Sequence, residues 1–241
     1  FVFAAFVSTA SNFSEGSITA WNYAFSLLQF PVATIGGAIG TALLPAASRL
    51  VATADRPGLA RAAYGAFGTA IWLILPVACI GQAIAPGVVA VTLGPSADLV
   101  SVERTALLLR LLLLAVTAMA ATAVFARLCY SVGDTRGPVG AALVGVAVML
   151  ATQSILAPAV GLGSLAAGVA IGEWIECGLL MARVRSRVDG PTISGFLSGV
   201  PMCTLLSVGA AASMVLRQVR GLDLEGLDEP VILQPAGDAC E

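Results

Sequence analysis

Residues 62–97, AAYGAFGTAIWLILPVACIGQAIAPGVVAVTLGPSA, contain no ionisable side chain other than Tyr64 and Cys79. A helix needs about 20 predominantly apolar residues to cross the hydrocarbon core of a bilayer, and this stretch has more than enough. The residues between Arg136 and Glu173 and those between Asp189 and Arg217 are equally free of charge. Such spacing reads as an all-α, polytopic membrane helical bundle, with the bilayer as its solvent.

Composition agrees, since 58% of the 241 residues are hydrophobic and 11% charged, far from the balance of a water-soluble domain. The formal net charge of -2 conceals a division: Asp223, Glu225, Asp228, Glu229, Asp238 and Glu241 crowd the end, and the body before them is basic. All 12 basic residues are arginines that mostly flank apolar spans, with no polybasic tract or nucleic-acid module, so nucleic acid is not an expected partner. Cys79, Cys129, Cys177, Cys203 and Cys240 are widely separated and histidine is absent, a pattern of small apolar thiols and not of metal ligands.

Six spans are expected at about 18–48, 65–93, 105–130, 139–160, 162–182 and 194–216, with boundaries soft by several residues. The opening FVFAAFVSTASNF lacks an initiator methionine and a basic n-region, and is expected to be the remnant of a helix from a longer protein or of a processed precursor. The expected organisation is a transmembrane lobe over 1–216 followed by an acidic, flexible tail over 217–241. Within 18–48, Pro31, the Gly36–Gly37 pair, Gly40 and Pro45 predict a broken or strongly bent helix, because proline removes an amide donor and glycine permits bending. Pro76 and Pro86 mark a second candidate bend.

Arginines alternate between connections. Arg49, Arg56 and Arg61 surround the first, Arg127 and Arg136 the third, and Arg183, Arg185 and Arg187 the fifth, whereas Arg104 alone lies near the second and 157–163 has none. The excess of positive charge places the first, third and fifth connections in the cytoplasm. Arg217 and Arg220, at the start of the tail, oppose that assignment weakly.

Polar residues within the spans are the candidates for chemistry. Glu173 and Glu176 in GEWIECG lie three apart on one helical side, and Arg110 follows TALLL near the outer end of its span. Ionisable groups in hydrocarbon are costly and face a cavity or a partner. One reading makes the two carboxylates part of a cation, proton or polar-substrate site in a central cleft. The other pairs Glu176 with an arginine of 183–187 and gives Glu173 an interhelical partner. Tyr23, Gln29 and Gln153 would either line the same cavity or hold helices together, and the glycine spacings 36–40 and 168–172 suit close helix packing.

SITAWNYAFSLLQFPVATIGGAIGTALLPAASRL, residues 17–50, resembles the segment that begins the second half of the MviN/MurJ family of lipid II flippases, in the multidrug/oligosaccharidyl-lipid/polysaccharide exporter superfamily. The resemblance is carried by Tyr23-Ala24, Leu27, Pro31, the glycine-rich stretch, Leu44-Pro45 and Ser48. FARLCYSVGDTRGPV, residues 125–139, is similar to that family's cytoplasmic hairpin after its tenth helix, through Tyr130, Gly133-Asp134-Thr135-Arg136 and Pro138-Val139. The two matches stand in the expected order and spacing, and the likeness runs to about residue 216.

The resemblance implies the second lobe of a two-lobed MurJ/MATE-like transporter of 14 helices, with the opening remnant in helix seven and the six spans as helices eight to thirteen. It implies a multi-pass protein of the bacterial cytoplasmic membrane that flips an undecaprenyl-linked peptidoglycan precursor by alternating access, partnered by a first lobe of the same protein. At one place this chain departs from the family, having Phe25-Ser26 where an Asp-Arg pair is common. The resemblance implies that the residue at position 26 faces the central cavity and meets the substrate diphosphate, where serine offers no cationic fork. Rival expectations are a drug or polysaccharide exporter of the same superfamily and a non-transporting scaffold of cell-wall synthesis. No nucleotide loop, metal cluster or nucleophile–base set is present, so no cofactor or enzyme activity is expected, and the sequence does not specify a coupling ion.

Overall fold

The computed structural model describes residues 16–95 and 97–187. Seven α-helices and one π-helical turn make up this part: α1 Ser17–Pro31, the π turn Val32–Gly37, α2 Ala38–Ala52, α3 Arg56–Leu93, α4 Leu99–Leu113, α5 Val116–Ser131, α6 Arg136–Val160 and α7 Gly163–Arg187. By length and apolarity, Ser17–Ala52, α3, α6 and α7 are each able to cross a membrane, and α4 with α5 forms a fifth span bent by 43°. Five of the six expected spans therefore stand as helices. The sixth at 194–216, the opening remnant and the acidic tail lie outside the described residues.

The expected break near Pro31 takes the form of a π turn in a helix that continues from Ser17 to Ala52. Its effect is visible in the buried positions. Ser17, Ala20, Trp21, Ala24 and Leu28 follow α-helical spacing, which would next bury Ile35 and Ile39; the buried residues are instead Gly36, Gly40, Leu43 and Ala47. One extra residue in the turn moves the whole stripe on by one position, as a π-bulge does. Gly36 then fits against α5, where a Cβ would lie 3.0 Å from the Cα of Ala120. The sharp bend falls elsewhere, at residues 114–115 inside the expected span 105–130.

The third helix also begins nine residues before its expected start, because polar capping extends it beyond the apolar stretch. The Asp55 carboxylate accepts the Gly58 N–H at 2.9 Å, and Pro57 supplies a pre-set φ in the first turn. At 1.5 Å per residue, its 38 residues reach about 57 Å, well beyond a hydrocarbon core of about 30 Å. Pro76 and Pro86 leave it continuous.

The bent span α4–α5 occupies the centre: α4 packs on α1, α3 and α7, while α5 packs on the π turn, α2, α3 and α7. Two apolar cores are stacked along the helices, one on either side of the bend. Trp21, Leu28, Val89, Leu112 and Leu165 belong to the first, and Leu43, Phe67, Phe125, Leu128 and Leu180 to the second, where the Phe67 and Phe125 rings stack at 4.8 Å. The closest helix pair is α6 with α7. A Cβ on Gly168 or Gly172 would sit 2.8 Å from the carbonyl oxygen of Met149 or Gly145 respectively, so the small residues bring the two backbones together. Outward-facing Val91, Leu143 and Ile155 are at least two-thirds exposed, apolar surface suited to lipid.

Chain alternation brings the ends of α2, α5 and α7 and the starts of α3 and α6 to one end of the bundle, which gathers Arg49, Arg56, Arg61, Arg127, Arg136, Arg183 and Arg185.

Candidate substrate-pathway site

The exposed side of the helix from Ser17 to Ala52 is mixed, carrying Phe30 and Leu44 as well as hydroxyl groups. The buried stripe packs into both cores, while Tyr23, Ser26, Thr34, Thr41 and Ser48 are exposed. Tyr23 and Ser26 are three apart and share a side; Thr34, Thr41 and Ser48 recur every seven residues, two helical turns, and share one further along. The hydroxyls are satisfied within the helix itself. Thr34 donates to the carbonyl of Phe30, Thr41 to that of Ala38 at 2.9 Å and Ser48 to that of Leu44 at 2.9 Å. Each oxygen retains acceptor capacity, and Thr34 does so within an apolar groove beside Phe30, Ile84 and Val88. Gln29 lies half-buried at the margin of this face. Thr34 and Thr41 were missed by attention to charged and amide groups; their seven-residue spacing with Ser48 was the available signal.

Arg110 is not part of this hydroxyl-bearing side. It is buried, its Nε donates to the backbone carbonyl of Gln82 at 3.1 Å, and the Gln82 side-chain amide donates to the carbonyl of Arg110 at 2.8 Å. The pair clamps α4 to α3 within the bundle. Position near a span end suggested accessibility, but the side chain follows the helix face that packs inward.

Glu173 and Glu176 are half-buried on α7, whose main packing partners are α4, α5 and α6. Neither takes part in an ion pair or hydrogen bond among the described residues. Of the arginines of 183–187 considered as partners for Glu176, Arg183 is taken by Asp134 at 2.7 Å. Glu176 lies against Gly145 of α6, where an added Cβ would be 3.0 Å from its Oε2. The structure thus puts Tyr23 and Ser26 together and leaves Arg110 and the two glutamates elsewhere. Gln153 is buried beside Gly168 at the α6–α7 contact, and its Oε1 has no hydrogen-bond partner among the described residues. Among the described residues, no three His, Cys, Asp or Glu side chains converge as a metal site requires.

Comparison with known proteins accounts for this helical arrangement. Residues 2–221 match the family described as lipid II flippase MurJ. The chain belongs to the MurJ family. It is 27% identical over 233 residues to a probable lipid II flippase MurJ of Bdellovibrio bacteriovorus, covering 93% of this chain and 44% of that protein. A solved structure of lipid II flippase MurJ in an inward closed conformation superposes with a TM-score of 0.71 at 15% identity, covering 95% of this chain and 51% of that one. The chain thus spans about half the length of the relatives it matches. MurJ membership makes it a multi-pass protein of the bacterial cytoplasmic membrane, from a family of transporters and not of enzymes.

In this MurJ-family chain, the 133–138 motif has an architectural explanation. Gly133 adopts a φ of 75°, and the adjacent N–H groups of Gly133 and Asp134 close the end of α5 onto the carbonyls of Tyr130 at 3.0 Å and Cys129 at 2.9 Å. Asp134, buried, accepts the Gly137 N–H at 2.9 Å and so caps the start of α6, where Thr135 and Arg136 begin the helix and Pro138 occupies its first turn. Its second oxygen receives Arg183 of α7. One residue thereby joins three helices, α5 through its backbone N–H and α6 and α7 through its carboxylate.

Proposed function

We propose that this chain forms the second lobe of a lipid II flippase and that the hydroxyl-bearing side of Ser17–Ala52 lines one wall of its central cleft. The lobe comprises residues 1–216, with 217–241 as an acidic tail. A first lobe of the same protein supplies the opposite wall, and the arginine-rich end of the bundle faces the cytoplasm. The carrying observation is the exposed set of hydroxyls on Tyr23, Ser26, Thr34, Thr41 and Ser48 of a membrane-spanning helix in a MurJ-family chain. Exposed polar groups are unfavourable against lipid and favourable against a watery path.

In this mechanism the two lobes rock about the cleft, the polar sugar–peptide diphosphate head of the undecaprenyl-linked precursor crosses between them, and its tail stays in the membrane. No substrate bond is made or broken. The neutral Ser26 among them favours a second reading, export of another amphipathic drug or polysaccharide substrate.

Complementation of flippase-depleted cells by the full-length protein, paired with a direct lipid II translocation assay, tests the proposal. Restored growth with translocation is expected. Normal insertion without translocation, for both the native protein and Ser26→Arg, would replace this reading with the exporter or the scaffold. Activity in Ser26→Arg alone would mean that this branch has changed substrate.

A further inference from the structure

A cleft of about 520 Å³ opens between α6 and α7 at the arginine-rich end of the bundle. α6 packs on α7 and α5, and α7 on α4, α5 and α6, so the cleft stands apart from the Ser17–Ala52 helix and from any path along it. Its two ends differ in chemistry. Arg136, Arg183 and Ser186 line it at the helix ends, while Gly140, Val144 and Leu179 line it further along. Val144 lies eight positions beyond Arg136 on α6, about 12 Å at the rise of an α-helix. The cleft thus runs from a cationic rim to an apolar floor, the order in which a bilayer passes from headgroups to hydrocarbon.

The two arginines are prepared differently. Arg183 is held in place: its Nε and Nη2 donate to the two oxygens of Asp134 at 2.7 and 3.4 Å, and its side chain lies across Gly137, where a Cβ would fall 2.5 Å from Nε. Its Nη1 keeps its donors, with no hydrogen bond among the described residues. Arg136 is exposed and takes part in no ion pair or hydrogen bond among them. Asp134 offsets one of the two charges, and no residue lining the cleft is acidic, so a net positive charge remains at the rim. Below it, Val144 and Leu179 are exposed and a Cβ on Gly140 would meet nothing within 4 Å, which leaves the apolar part open to the side.

We propose that this cleft binds an anionic phospholipid from the leaflet on the arginine-rich side, with Arg136 and Nη1 of Arg183 holding the phosphate and an acyl chain lying over Gly140, Val144 and Leu179. The occupant follows from where the cleft opens. A lipid brings a phosphate and a chain in the order the walls require, and the uncompensated charge selects a headgroup without an ammonium. Planar guanidinium donors suit phosphate oxygens. The bound lipid touches both helices and so ties the end of α7 to the start of α6. It belongs to the surrounding bilayer and is not cargo, so the inference does not depend on the flippase reading.

The test uses full-length protein in detergent, titrated with phosphatidylglycerol and with phosphatidylcholine of the same chains, and native mass spectrometry reads the binding constant of each. Wild type is expected to prefer phosphatidylglycerol. Arg136→Gln should weaken phosphatidylglycerol about fivefold and phosphatidylcholine less, the effect of one arginine near an anionic headgroup. Gly140→Trp leaves every charge in place, fills the chain-binding part of the cleft and should weaken both lipids. Arg61→Gln removes an exposed arginine outside the cleft and should change neither; a loss equal to that of Arg136→Gln would show diffuse attraction and overturn the site. Equal affinity of wild type for the two lipids, or unchanged binding in both cleft variants, would overturn it as well. Displacement of phosphatidylglycerol by inorganic phosphate would mean an anion site with no use for the chain, against the proposal.

Discussion

Trp174 of α7 donates its indole N–H to the carbonyl of Leu114 at 3.0 Å, at the bend where α4 gives way to α5. A bend frees backbone groups that an unbroken helix would pair, and in hydrocarbon such groups need another partner. The GEWIECG segment therefore supports the central span through its tryptophan. Trp174→Phe keeps the ring and removes the donor, and should cost roughly 1–3 kcal/mol for the carbonyl left unpaired. Thermal unfolding in detergent measures it, and an unchanged midpoint would show that the bend does not depend on this bond.

The α6–α7 contact distinguishes glycines that look alike in sequence. Gly168→Ala and Gly172→Ala push a methyl group against rigid carbonyls, at a cost of about 1–3 kcal/mol each by overpacking. Gly178, ten and six residues further along the same helix, has nothing within 4 Å of an added Cβ, and Gly178→Ala should be neutral or slightly stabilising. Equal melting temperatures for all three variants would contradict the close approach.

Asp134 has two tasks that separate by substitution. Asp134→Asn retains an oxygen for the Gly137 N–H and weakens the bond to Arg183, whereas Asp134→Ala loses both. The alanine variant should be the less stable by about 0.5–2 kcal/mol, the range for a lost cap. Side-by-side urea or thermal unfolding would expose an inverted order.

At the opposite end of the bundle, Asp98 caps α4 by accepting from Ser101, with the amide at 3.1 Å. Hydrogen bonding from the Ser101 side chain first, and its amide second, holds the Asp98 carboxyl below the usual carboxylate range. A depressed folded-state pKa means a stabilising contribution that is complete above the ordinary carboxylate range and fades as pH falls through it and below. Melting of wild type and Asp98→Ala should therefore converge on acidification. A gap independent of pH would remove ionisation of Asp98 from its cause.

Single-cysteine labelling of the full-length protein at positions 56 and 136 should report cytoplasmic exposure, with labels at 98 and 160 reporting the other side. Reversal of that pattern would reject the orientation drawn from the arginines.

The apolar gaps in the sequence located five spans well because length and absence of charge are requirements of the bilayer itself. What they did not locate were events decided by contacts between helices. Pro31 and the Gly36–Gly37 pair correctly marked an irregular turn, yet whether the chain would break or take in one residue depended on Gly36 meeting Ala120. The bend at 114–115 falls within an unbroken run of apolar residues and has no proline or glycine to announce it. Among candidate site residues, Tyr23 and Ser26 are exposed on one side of their helix, as their three-residue spacing requires. The burial of Arg110 was not legible because it is a property of the neighbour, here Gln82, and the seat of Arg127 was not because it is made by a glycine, Gly40, 87 positions earlier.

The π turn also leaves a mark on how this chain can be compared with others. A relative whose corresponding helix lacks the spare residue would align well on either side of residues 32–37 and require a single gap inside them. Placing that gap beyond Ser48 would shift Gly40, Thr41 and Ser48 by one position. Ancestry along this helix is therefore best traced in two blocks, each with its own frame.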